Sequence, residues 1–545
     1  MGTDNRMNTL PTIDLIVLAI YLLAVVILGC WFVRRSGTTD EFMAAGRSLP
    51  GWAVGLSIFG TYLSSNTFIG VPGKAVNGNW NFFVFSLSIP IAAWIASRVF
   101  IPFYRNSGAI SAYEHLERRF GKWARNYAAI CYLLTQVARI ATILFGVSLA
   151  LTALTGWPQE WVIVLAGILI ALYTVMGGIE AVIWTDVVQS IVLTVGAVLV
   201  LFLVITGMPG GLSQTIEVAQ AHGKFSLGSF SGSLIESTFW VVLIYGIFIN
   251  LNNFGIDQSF VQRYHTARSE REAKKSIWLG AWLYLPVSAV FFFIGTALFA
   301  FYTVHPDQIA EMRREIAIEK LDQKDAPVDE EYIQAELNNV GVADLGDDAF
   351  PNFIVNQMPP GISGLLIAAL IAAAMSSVDT SLNSSATIFL SDFYRQYLNP
   401  ETNESTSMKV LYIATLVMAG IGTGAALMMM GTESILATWW KLSGVFAGGM
   451  LGLFLLGIFA RASTQVGAVT GVVFGVLVIC WLSLTPMLAT NDTVPSWMIN
   501  HLNSNLTIAI GTLTIFGCGR FVSYWTKRSG NGHSSEEMKE RKITR

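Results

Sequence analysis

Residues 51–75 read GWAVGLSIFGTYLSSNTFIGVPGKA, and the fold turns on them. The flanks of this stretch are apolar enough for a membrane helix. Its centre instead holds Thr61, Tyr62, Ser64, Ser65, Asn66 and Thr67, between Gly60 and Gly70, with Pro72 beyond. A plain membrane helix carries Leu or Ile there. Glycine with clustered hydroxyls at mid-depth predicts an unwound stretch. Its freed carbonyls must be satisfied, and a bound cation does that. The blander alternative is a polar seam packed against other helices.

The rest of the chain fits a membrane protein. Of 545 residues, 53% are hydrophobic and 13% charged, about half the charge of a soluble domain. The net charge of −3 argues against a nucleic-acid partner. Cys30, Cys131, Cys480 and Cys518 lie in apolar runs, with neither metal-ligand spacing nor a disulfide framework. The N-terminus lacks the basic region of a signal peptide.

A membrane helix needs about 20 mainly apolar residues, and thirteen segments qualify. The expected organisation is an N-terminal helix at 1–34, a five-helix unit at 51–207 and a second at 236–460. Two C-terminal helices at 464–526 and a tail at 527–545 complete it. The second unit includes an acidic, helix-prone insertion at 303–357, expected as an extracellular cap. Lys and Arg in the short loops place the N-terminus outside and the tail in the cytoplasm.

Several polar residues sit where lipid depth makes them expensive. The segment GLLIAALIAAAMSSVDTSLNSSATIF, residues 364–389, clusters Ser376, Ser377, Asp379 and Thr380. Positions 376 and 380 share a helix face, and 376 and 379 are also neighbours. A hard cation takes such hydroxyl and carboxylate oxygens, although small residues also serve close helix packing. Asp186, in IEAVIWTDVVQSIVL, is a functional candidate or the partner of a basic loop residue. Arg139, in LLTQVARIATILF, needs an anion. Asp186, Asp379 and a solute carboxylate are the candidates. In segment seven, Asn250, Asn252, Asn253 and Gly255 suggest a second broken helix, five spans after the first. Two interrupted helices in corresponding positions point to an inverted-repeat transporter.

The runs DEFMAAGRSLPGWAVGLSIFGTYLSS, YTVMGGIEAVIWTDVVQ, FGIDQSFVQRY and AALIAAAMSSVDTSLNSSATIF resemble the sodium:solute symporter family over about residues 10–525. FGTYLSSNTFIGVPGKA and QVARIATILFGVSLAL look most like its bacterial sodium/sialic acid symporters. The resemblance implies an all-α polytopic membrane fold of about thirteen helices. Two inverted five-helix repeats of the LeuT type would form its centre. It implies a first sodium site at the carbonyls of Gly60, Leu63 and Ala373 and the hydroxyls of Ser376 and Ser377. A second sodium site would use Asp186, Ser376, Asp379 and Thr380. Substrate would meet Tyr62, Ser64, Thr67, Phe82, Ser86 and Arg139. The chain departs from the sialic acid pattern at Asp379, where a hydroxyl is expected. Ser86 replaces an expected glutamine, and Tyr62 a smaller hydroxyl residue.

The expected function is sodium-coupled import of an anionic sugar such as sialic acid by alternating access. A neutral sugar or polyol is the alternative, with Arg139 paired to Asp379. A membrane sensor is more remote, since about 20 residues lie beyond the last span. Sodium is the expected coupling ion, with no organic cofactor. The setting is the bilayer of a bacterial inner membrane, and the working unit a monomer. The six histidines fall in loops or the tail, which argues against an enzyme.

Overall fold

The computed structural model describes residues 11–543, except 64, 324–326, 341, 431–432, 489–494 and 496–497. Among them every regular element is a helix, apart from an isolated bridge between Leu49 and Ala267. The longer helices are α1 (Thr12–Trp31), α2 (Gly51–Tyr62), α3 (Ser65–Asn77), α4 (Phe83–Arg98), α5 (Lys122–Thr155) and α6 (Gln159–Thr206). Next come α7 (Phe239–Ile256), α8 (Gln258–Thr266) and α9 (Glu270–Val304). The insertion folds as α10 (Pro306–Gln323), α11 (Glu330–Leu337) and α12 (Val342–Gln357). The chain ends with α13 (Ile362–Ile388), α14 (Glu404–Met428), α15 (Glu433–Phe459), α16 (Gln465–Leu488) and α17 (Thr507–Ile543).

Ten helices among the described residues are long and apolar enough to cross a membrane. Each of the thirteen expected segments falls on a helix, and the two counts differ in how those helices are joined or divided. The 48-residue α6 absorbs two expected segments. The pair α2 and α3 replaces one expected span with two short helices, while the expected segment 435–459 falls on the 27-residue α15. Within α6, Gly178 adopts φ 57°, ψ −157° and joins two helices across a kink. A Cβ there would lie 2.9 Å from the Phe42 backbone, so the position needs glycine for both conformation and space.

α13 is the centre of the bundle: every residue from Leu366 to Ile388 is buried. It packs against α5, α6 and α1. Asp14 fixes α1 to its start, since Oδ1 accepts the backbone N–H groups of Gly361 and Gly364 at 2.6 and 2.7 Å. A carboxylate satisfies helix-start donors and suits the positive end of the helix dipole. Ile16, Ile20, Leu23 and Ile27 of α1 point outward, while Leu18, Val25 and Gly29 face the bundle. That apolar outer stripe is where lipid replaces a protein partner. α12 packs over α3, with Phe350 and Phe68 rings 5.2 Å apart. The insertion thus rests on α3, the second helix of the broken pair.

Candidate functional site

The break begins at Leu63, whose φ −92°, ψ 86° no helix adopts. Its N–H still reaches the Gly60 carbonyl at 3.0 Å. Carbonyls of the last α2 turn lose the partners that a continuous helix would supply. The missing Cβ of Gly60 lets α2 approach α13: a Cβ there would lie 3.4 Å from Ser376 Oγ and 2.6 Å from Ser190 Oγ. Ser377 Oγ is buried and has no hydrogen-bond partner. Leu63, at the break, and Ala373, one turn before Ser377, are buried as well. A desolvated hydroxyl without a partner among the described residues, on the helix that meets the broken end of α2, fits a monovalent cation.

Asp186, on the second half of α6, is wholly buried. Its Oδ1 accepts Ser376 at 2.5 Å, and its Oδ2 accepts Ser57 at 2.5 Å. Oδ2 also accepts Arg263 Nη2 at 2.8 Å. The Arg263 Nη2 donates to Thr380 Oγ1 at 2.7 Å as well, Nε to Ser57 at 2.8 Å, and Nη1 to the Ser259 carbonyl at 2.8 Å. A guanidinium therefore stands among Asp186, Ser376 and Thr380. Sequence reasoning does not bring Arg263 to the site, but the structure buries it there completely. The local signal was its place in FGIDQSFVQRY: a short helix after a break turns its side chains back into the bundle. Every residue from Gln258 to Thr266 is buried.

Asp379 is buried too. Its Oδ2 accepts the Tyr173 hydroxyl at 2.7 Å, and its Oδ1 the N–H of Thr380 at 2.5 Å. Neither Asp379 nor Asp186 meets Arg139, contrary to the internal pairing considered from sequence. Arg139 Nη2 donates to the Thr61 carbonyl at 3.1 Å. Its side chain lines a cavity of about 790 Å³ shared with Thr61, Tyr62, Gln136, Asn252 and Asp257.

The structure divides the expected substrate residues. Tyr62 lines the cavity, but its hydroxyl donates to Asn250 Oδ1 at 2.9 Å and its ring packs on Phe254, Phe260 and Tyr284. Thr67 donates to the Tyr62 carbonyl at 3.3 Å. Phe82 lies under the Lys74 ammonium, 4.1 Å from the ring centre. Ser86 is 2.7 Å from Ser288, and neither Phe82 nor Ser86 lines the cavity. Ser64 lies outside the described residues. The second break falls later than Asn250–Gly255: α7 continues to Ile256, and Asp257 is the extended residue.

Comparison with known proteins agrees with this architecture. The chain is 33% identical over 534 residues to the sodium/sialic acid symporter NanT of Aliivibrio fischeri, covering 97% of this chain and 96% of that protein. A solved Na⁺-coupled sialic acid symporter, described as substrate-bound, outward-open and revealing a novel Na⁺ site, superimposes with TM-score 0.80. It is 32% identical and covers 94% of this chain and 98% of its own. The nucleobase-cation-symport transporter Mhp1, in a closed conformation, is 15% identical with TM-score 0.52, a likeness of fold alone. It covers 91% of this chain and 96% of Mhp1. The model of the sodium:solute symporter family matches residues 42–475. The broken helix beside paired serines, the all-helical architecture and these matches together make the chain a member of the sodium:solute symporter family.

Proposed function

We propose that this chain imports an anionic sugar acid of the sialic acid kind together with sodium, by alternating access. One observation carries the reading: Arg139 lines the cavity and forms no ion pair among the described residues. An arginine near the bilayer centre costs at least about 2.5 kcal/mol. A solute carboxylate, held bidentately, supplies the missing counter-charge. A neutral sugar or polyol leaves the guanidinium unpaired. The sialic acid symporters among the similar proteins support the same solute class.

The first sodium binds the carbonyls of Gly60, Leu63 and Ala373 and the hydroxyls of Ser376 and Ser377. It ties the broken pair α2 and α3 to α13. Ion and solute drive closure by binding one state better than the other. A second sodium at Asp186, Asp379 and Thr380 requires Arg263 to release Asp186 and Thr380. The two repeats, 51–207 and 236–460, each carry one break, at Leu63 and at Asp257. The chain works as a monomer in a bacterial inner membrane, N-terminus outside and tail in the cytoplasm. Each charge moved inward then gains about 2.3 kcal/mol per 100 mV.

Uptake into proteoliposomes under an inward sodium gradient tests this, with acidic and neutral sugars compared in wild type and Arg139→Ala. The expected result is sodium-driven uptake of the acid, abolished in the variant. Sodium-independent uptake, or a wild type that prefers neutral sugars, sinks the reading.

A further inference from the structure

Three acceptor groups share the cavity with Arg139. Gln136 precedes Arg139 by one turn of α5 and is 1% exposed, yet its Oε1 has no partner. Asn252, on α7, is 7% exposed, and its Oδ1 is likewise unpartnered. Asp257 sits at the break between α7 and α8. The backbone N–H and the hydroxyl of Ser259 donate to its Oδ1 at 2.8 and 2.5 Å, and the Tyr132 hydroxyl lies 3.5 Å from the same atom. Among the described residues all of these contacts fall on Oδ1, and Oδ2 takes none. The carboxylate is thus held by one oxygen while the other remains available. A buried acceptor with no partner is costly, and native interiors leave few of them. Two residues with such buried amide oxygens and a half-used carboxylate share the wall of one cavity, which fits a ligand rich in donors.

We propose that Gln136, Asn252 and Asp257 form a specificity wall that accepts hydrogen bonds from hydroxyl and amide N–H groups of the solute, while Arg139 takes its carboxylate. This rests on the acid-symport reading and assigns to these three residues the preference for a polyhydroxylated acid over a short monocarboxylate. A short monocarboxylate supplies the anion but leaves the wall unpaired. Sites built to hydrogen-bond a hydroxyl reject analogues lacking it by factors of about 10⁴. A neutral sugar satisfies the wall but not Arg139.

Asp257 also caps the first turn of α8 through Ser259, so the test must separate capping from recognition. Asp257→Asn keeps an Oδ1 acceptor, and Asn caps helices as well as Asp. It replaces Oδ2 by an N–H₂ donor. Gln136→Met removes an amide from the cavity at similar length, with no capping role at stake. The full chain in proteoliposomes is assayed for sodium-driven sialic acid uptake, with lactate as competitor. In wild type, excess lactate leaves uptake unchanged. Both variants raise the sialic acid KM about tenfold or more, while kcat and the half-saturating sodium concentration stay within about twofold of wild type. If Asp257→Asn fails to assemble, Gln136→Met carries the test. Unchanged KM in the assembled variants overturns the wall. So does lactate uptake equal to that of sialic acid, which leaves sodium-acid symport standing. Absence of sodium-driven uptake for either acid removes the underlying reading and the wall with it.

Discussion

Arg263 Nη2 lies 2.8 Å from Asp186 Oδ2, and neither side chain has any exposed surface. Two ions leave water to make this contact, which their attraction offsets only with further hydrogen bonds. Those bonds are present, from Ser57 and Ser376 to the carboxylate and from the guanidinium to Thr380 and the Ser259 carbonyl. Removing one partner leaves a buried charge uncompensated. Arg263→Met is expected to destabilise the protein by about 3–5 kcal/mol. Asp186→Asn with Arg263→Met should recover much of that loss, because no lone charge remains. Unfolding midpoints of the purified chain in detergent check both. A double variant as unstable as the single one would refute the pairing argument.

Ser377 supports the opposite expectation. Among the described residues its buried hydroxyl has no hydrogen-bond partner, so Ser377→Ala should leave the sodium-free unfolding midpoint unchanged or raise it. The half-saturating sodium concentration should rise about tenfold, equivalent to about 1.4 kcal/mol of lost ion binding. Sodium titration of uptake decides the matter. A variant with wild-type sodium dependence excludes the hydroxyl as a ligand.

Gly178→Ala tests the kink in α6. Its φ of 57° is strained for any residue with a Cβ, and the new methyl would meet the Phe42 backbone at 2.9 Å. Strain alone costs about 1–3 kcal/mol, and the contact adds to it. The expected outcome is a lower unfolding midpoint. Unaltered stability would mean that the kink relaxes freely.

Lys224 gives a pH-dependent test outside the spans. Its ammonium donates to the carbonyls of Val76 and Gly78 at 2.6 and 3.0 Å, capping the end of α3, and lies 3.6 Å from the Phe299 ring centre. Burial pushes its pKa down from 10.5 to about 8. The unfolded chain therefore holds this proton to higher pH than the folded one. The desolvation penalty is fully present below about pH 8 and is relieved as pH rises toward 10.5, so stability rises across that window. Lys224→Met should remove this increment. The difference in unfolding midpoint between wild type and variant, tracked from neutral to alkaline pH, is the measurement. A constant difference would show that the group does not titrate in that range.

Local composition was enough to specify the helices and the first break. Long apolar runs must be helical in lipid, since every backbone group there has to be bonded internally. Clustered hydroxyls and glycine marked the break near Leu63, and the Ser376–Ser377 pair marked its partner on α13. These signals lie within one or two helical turns, where periodicity fixes which residues share a face. Which distant charges meet was settled by tertiary packing alone. Asp186 and Arg263 are 77 residues apart, and nothing in their spacing distinguishes that pair from Asp186 with Arg139. The same holds for the parting of Ser86 from the cavity, and for the break at Asp257 rather than among the asparagines before it. Periodicity tells a side chain which way to face. The packing of α2, α6, α8 and α13 around one another chooses what it finds there.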